Sequence, residues 1–182
     1  MQTRMRAVVV QHFGGPEVLE VHRDVPVPQI KPNEVLIKVV AIGVNPVDSY
    51  IRAGMYSKLP PVPYIPGNDA AGTISKIGEK VTDFERGDSV VTFMNVRSGA
   101  YAEFCAVHTE WLVKLPRGYD FRKAAAIGTS YMTAYRALFQ RANAKPGDSV
   151  LVHGASGGVG AAACQLASTH GLQVIGKSTS WC

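Results

Sequence analysis

Gly154, Gly157, Gly158 and Gly160, with Ser156 between them, are the residues whose types and spacing most directly imply chemistry. They sit in Ser149-Val-Leu-Val-His-Gly-Ala-Ser-Gly-Gly-Val-Gly160, which predicts a buried strand, a glycine-rich turn and the opening of a helix. A strand feeding such a turn aims unpaired backbone N–H groups and a helix dipole at one point, where a diphosphate can sit. Gly154 permits the tight turn, Gly157 and Gly158 let backbone approach phosphate, and Gly160 lets the helix press on its strand. A G-x-x-G-x-x-G match alone is weak. Here a Val/Leu strand precedes it, an Ala-rich helix follows, and a second strand over 172–175 comes at the proper interval, which favours nucleotide binding over an ordinary β–α turn.

The end of that second strand reports on cofactor choice. A site for NAD places Asp or Glu about twenty residues past the glycines, to hold the ribose hydroxyls. This chain has Gly176-Lys177-Ser178-Thr179 there, with a cation and no carboxylate, so a 2′-phosphate and hence NADP is favoured. The same turn also satisfies G-x-S-x-G, the nucleophile elbow of a hydrolase, through Gly154, Ser156 and Gly158. That chemistry needs an acid and a histidine later in the chain, and only His170, on the same helix, remains.

Around residue 45 a second group of polar side chains gathers. Asn45 can cap a helix that starts with Pro46, runs over 47–53 and ends at Gly54; Asp48, Tyr50 and Arg52 ride on it. Asn45 is read either as that cap or as a polar group near a nicotinamide; Tyr50 and Tyr56 are either packing residues or, for Tyr50, a hydrogen-bonding partner. No metal site is expected, because His12, His22, His108, His153 and His170 never form a close pair and none lies beside a cysteine. His153 reads as a packed or hydrogen-bonded core residue. Cys105, Cys164 and Cys182 lie too far apart for a disulfide framework, which suits a reducing cytosol; Cys105 and Cys164 read as small buried residues, on a strand and a helix respectively.

These groups must be held by elements that the pattern supplies. Over 5–115 short β-branched runs dominate, at 7–10, 18–21, 35–40, 72–77 and 89–93, separated by Gly and Pro turns, so a compact β barrel or sandwich is expected. Past residue 115 the period turns helical, over 121–127, 131–141 and 159–170, with Gly171 as a C-terminal cap. A boundary near 125 therefore divides a β-rich domain, 1–125, from the start of a doubly wound α/β domain, 126–182. The 182 residues carry 46% hydrophobic and 18% charged side chains, which disfavours disorder; no stretch reaches the length of a membrane-spanning helix. The net charge of +5 is scattered, with no basic stripe of the kind that reads RNA or DNA.

Taken together the residues resemble the zinc-free quinone oxidoreductases of the zeta-crystallin type, within the medium-chain dehydrogenase/reductase superfamily. The resemblance rests on Met5-Arg-Ala-Val8, Gly14-Gly15-Pro16-Glu17, Gly43-Val-Asn-Pro-Val-Asp-Ser-Tyr-Ile-Arg52 and Pro63-Tyr-Ile-Pro-Gly67. It continues through Ala126-Ile-Gly128, Thr133-Ala-Tyr-Arg-Ala-Leu138 and Val150-Leu-Val-His-Gly-Ala-Ser-Gly-Gly-Val-Gly160, to about Gly176. It implies a GroES-like β-rich catalytic domain followed by an incomplete Rossmann domain. Zinc-dependent relatives carry a Cys ligand in the segment matching 43–48 and Gly-His-Glu where this chain has Gly67-Asn68-Asp69, so the resemblance implies a protein without zinc.

It further implies reduction of a quinone by NADPH in the cytoplasm, with Tyr50, Ser156, Gly157, Gly158 and Val159 contacting the cofactor. Asn45 and Thr133 then lie near the nicotinamide, and Asn45 and Tyr50 position the reactants. Lys177 joins this set from the strand-end argument above. Full-length relatives are expected to be homo-oligomers, and the family is credited with a lens-protein role and with binding AU-rich RNA. Family members are nearly twice as long, and the ending Lys177-Ser-Thr-Ser-Trp-Cys182 departs from their pattern. The expectation is a truncated chain of low activity that exposes an open strand edge.

Overall fold

The computed structural model describes residues 3–93 and 98–178, and the chain divides at Gly128/Thr129 into two compact units. Thr179, Trp181 and Cys182, noted above, lie outside the described residues.

In the first unit the β-branched runs pair as antiparallel strands. β1 (Arg4–Val9) pairs with β2 (Glu20–Pro26). A second sheet joins β3 (Glu34–Gly43), β4 (Asp69–Ile77), β5 (Ser89–Thr92), β6 (Phe104–His108) and β7 (Leu112–Lys114), in the order β6-β3-β4-β5-β7. Val35 and Ile37 of β3, Ile74 of β4, Val90 of β5 and Val107 of β6 meet in one core with exposures of 1% or less. Each such side chain contributes about 1.5–3 kcal/mol by leaving water. Cys105 is buried in that core, and burial pushes its thiol up to about 12, so it serves as packing. The β-rich expectation for this region is met.

Three local readings needed the tertiary structure. The strand expected at Cys105 is β6, whose bounds follow from pairing with β3, whereas β7 was not anticipated, because its short run at Val113 becomes a strand by pairing with β5. The run at 18–21 instead begins in a single 3-10 turn, Pro16–Val18, where Glu17 Oε1 accepts the Gly15 N–H at 2.8 Å. The strand follows it, over Glu20–Pro26, whose burial shows no alternation.

Register then positions the first functional group. Gly43, at the end of β3, pairs with Asp69, at the start of β4, so the residues just past Gly43 emerge beside that carboxylate. Pro46 starts helix α1 (Pro46–Arg52), where its missing N–H costs nothing, and Gly54 at φ +73° follows it. Helix α2 (Phe121–Ala125) lays Ala124 and Ala125 against Ala71 and Val91 of the sheet.

In the second unit, parallel strands β8 (Ser149–His153) and β9 (Gln173–Lys177) flank helix α4 (Gly158–Thr169), and helix α3 (Gly128–Tyr135) runs into a wider π turn over Arg136–Arg141. Ala162, Ala163 and Ala167 of α4 are small enough to let Val152, Leu172 and Leu138 close a core. Gly171 at φ +76° ends α4 as its C-terminal cap. Strand β8 is less buried than the sequence implies. Val152 faces α4, whereas Leu151 is 55% exposed and His153 is exposed rather than packed, because α4 covers only one face of this two-stranded sheet among the described residues.

Candidate functional site

The glycine turn has the geometry its spacing implies. Gly154 takes φ +68°, and its carbonyl accepts the Gly157 N–H at 2.9 Å. A Cβ at position 160 would stand 2.1 Å from that same carbonyl oxygen, so only glycine lets α4 start this close to the turn. The first backbone bond of the helix region is Ala161 N–H to Gly157 O, at 2.8 Å. The N–H groups of Gly158, Val159 and Gly160 precede it and crown the positive end of a twelve-residue helix. This is a cradle that an added side chain would fill and that a diphosphate fits.

The end of β9 is tied to the turn. The Lys177 carbonyl accepts the Ala155 N–H at 3.1 Å, and the Ser156 and Ser178 hydroxyls share a hydrogen bond of 2.8 Å. The Lys177 ammonium is exposed, on the last residue of the strand, where a ribose-reading group stands in a doubly wound fold. Thr133 is exposed on α3. The hydrolase reading of Ser156 finds no support. His170 lies past the far end of α4, with Nδ1 on the Leu166 carbonyl at 2.8 Å and its ring 4.5 Å from that of Phe139.

In the first unit the polar groups near α1 form a connected set. Asn45 Nδ2 donates to Asp69 Oδ2 at 2.8 Å, and the Asn45 N–H donates to Asp48 Oδ2 at 2.9 Å. The Tyr101 hydroxyl donates to the same Asp48 oxygen at 3.1 Å. Asp69 is 1% exposed. Gly128 stands against it so closely that a Cβ there would lie 2.4 Å from Asp69 Oδ1. Desolvation raises the Asp48 carboxyl above its ordinary value, opposed by the bonds from Asn45 and Tyr101 and reinforced by the charge of Asp69. Burial, then the charge of Asp48, raises the Tyr101 phenol.

Sequence reasoning named Asn45 and Tyr50 here and missed the parts that hold Asn45. Asp69 and Tyr101 carry no local motif; only the Gly43–Asp69 register and the packing of Tyr101 reveal them. Asn45 thus serves as the helix-entry residue and has its amide oriented by a buried carboxylate. Tyr50 is 49% exposed on α1. Among the described residues, no three His, Cys, Asp or Glu side chains stand together as a metal site, and no helix is long and apolar enough to cross a membrane.

Residues 31–117 match the alcohol dehydrogenase GroES-like domain. The chain is 53% identical over 179 residues to a quinone oxidoreductase of Mus musculus, covering 98% of this chain and 54% of that protein. Among solved structures, the quinone oxidoreductase of Pseudomonas syringae superposes with a TM-score of 0.88 at 36% identity, covering 97% of this chain and 53% of that one. A mycobacterial protein solved with NADPH gives a TM-score of 0.87 at 37% identity, with coverages of 97% and 53%. The chain therefore spans about half the length of the curated relatives it matches. By sequence and by fold the chain is similar to quinone oxidoreductases, with residues 31–117 matching an alcohol dehydrogenase GroES-like domain and a parallel, Rossmann-like strand–helix–strand unit following.

Proposed function

We propose that this chain binds NADPH at the Gly154–Gly160 turn and belongs to a protein that reduces a quinone without zinc. The observation that carries the reading is the open start of α4, beside a strand that ends in Lys177 with no carboxylate. The N–H groups of Gly158 and Val159, with the Ser156 hydroxyl, bind the diphosphate, and Gly157 contributes by having no side chain to block it. Lys177 pairs with the 2′-phosphate. When bound, the reduced nicotinamide supplies a hydride. Asn45, Tyr50 and Thr133 orient the ring and the acceptor by hydrogen bonds, which demands positioning and neither a metal nor a strong nucleophile. The relatives' names supply the acceptor class, and the complex with NADPH in one structural relative supplies precedent for the cofactor.

The test is consumption of NADPH in the presence of phenanthrenequinone, with Asn45→Ala and Tyr50→Phe made in the full length in which the protein occurs. Slower turnover in both variants, with unchanged NADPH affinity for Asn45→Ala, supports the assignment. Turnover equal to that of the unaltered protein in both removes those residues from the reaction.

A further inference from the structure

Two polar atoms in the first unit are buried without a hydrogen-bond partner and share one cavity. They are Asp48 Oδ1 and Tyr64 Oη, and both residues line a cavity of about 850 Å3. Asp48 is 7% exposed. Its other oxygen is held by the Asn45 N–H and the Tyr101 hydroxyl, and the Asn68 amide also stabilises the carboxylate, so Oδ1 is fixed in place facing the cavity's polar groups. Burial raises the Tyr64 phenol, the negative charge of Asp48 adds to this and Arg52 opposes it, so Asp48 and Tyr64 are in electrostatic reach of each other and of one cation. Native proteins rarely leave such atoms unsatisfied, and two on one cavity imply that something else completes them.

Much of the remaining lining is apolar and stiff, with Asn68 and Ser98 adding polar groups. Pro60, Pro61, Pro63 and Pro66 fix their own backbone, and Ile51 and Val9 add aliphatic wall. The volume falls within the roughly 300–1,000 Å3 of small-molecule pockets. Lys58 also lines it but is exposed, so water screens its charge, whereas Asp48 is desolvated. Neither Asn45 nor Tyr50 is among the described lining residues, although the Asn45 N–H bonds Asp48 of the cavity wall.

We infer that this cavity is a binding site for a compact aromatic amine, whose protonated nitrogen donates to Asp48 Oδ1 and Tyr64 Oη while its ring packs against the prolines and Ile51. A carboxylate ligand would meet the charge of Asp48, and a neutral alcohol would satisfy hydrogen bonding but leave that charge uncompensated. An ammonium supplies both donors and the opposite charge. The inference does not rest on nucleotide binding, because no residue of the glycine turn lines the cavity.

Calorimetric titration of the full chain with tryptamine, and with its neutral isostere tryptophol, tests it. Saturable binding of tryptamine at least about tenfold tighter than tryptophol is expected, as is roughly threefold to tenfold weakening by Tyr64→Phe. Asp48→Asn should abolish the preference for the amine. Because that variant also alters the α1 entry, Tyr64→Phe, which leaves the α1 entry intact, decides the matter should Asp48→Asn fail to fold. Equal affinity for the two probes, no saturable tryptamine binding by the folded chain, or unchanged binding in Tyr64→Phe would overturn the inference.

Discussion

The side-chain amide of Asn45 donates from Nδ2 to the carboxylate of Asp69 at 2.8 Å. A carboxylate only accepts, so this bond fixes which way the amide faces and leaves Asn45 Oδ1 as its acceptor end. Asp69 in turn is fixed by burial and by the backbone of Gly128 beside it. The expected outcome is that Asp69→Ala lowers stability by about 1–3 kcal/mol, since it strands a part-buried donor, and slows turnover as well. Urea denaturation and quinone-dependent NADPH consumption check the two effects.

Gly128→Ala should be costly for a steric reason. Its Cβ would press within 2.4 Å of Asp69 Oδ1, the end of a side chain that burial and the bond from Asn45 hold in place. A loss of about 1–3 kcal/mol is expected. Gly87→Ala, where nothing lies within 4 Å but φ is +99°, should lose only about 1 kcal/mol from backbone strain. Denaturation midpoints of the two variants, measured side by side, test this ordering.

The raised Asp48 carboxyl gives a signed pH dependence. Its folded-state pKa lies above its ordinary value of 3.8, so the folded chain binds its proton more tightly than the unfolded chain does. The stability it adds is fully present below 3.8 and is lost as pH rises through the raised value. Asp48→Asn should flatten that part of the profile while leaving the opposite trend of Asp88, whose pKa is lowered by the Glu85 N–H and by Lys114. Unfolding free energies measured across the acid range would show this; an unchanged slope in Asp48→Asn would contradict it.

The donors near α1 also predict the response to chelators. Asn45, Asn68 and Asp69 offer two amides and one carboxylate, a poor set for zinc, which prefers thiolate and imidazole. Prolonged dialysis against EDTA should leave the melting temperature and turnover unchanged. A drop in either, restored by zinc, would show that the donor argument fails.

How much was legible before folding follows from where each signal resides. The glycine turn, α1 and α4 are local: Gly154 to Gly160, Pro46 and Gly171 act within a few residues of themselves, so sequence alone located them. A strand at Cys105 was legible but not its extent, and β7 was not legible, because its three residues become a strand only by pairing with β5. Asp69 and Tyr101 escaped for the same reason. They meet Asn45 and Asp48 across 24 and 53 residues of chain, a distance that register closes and local pattern does not. His153 was misjudged because a Val/Leu strand implies cover on both faces, and α4 covers one.

The central claim is that the glycine turn and Lys177 together select NADPH. The direct measurement is the pair of dissociation constants for NADPH and NADH, taken by calorimetry with the unaltered chain, Lys177→Ala and Gly160→Ala. The account predicts tighter NADPH binding, a preference reduced roughly threefold to tenfold in Lys177→Ala, and loss of both ligands in Gly160→Ala. Equal affinities in the unaltered chain, tighter NADH binding, or a preference untouched by Lys177→Ala would contradict it.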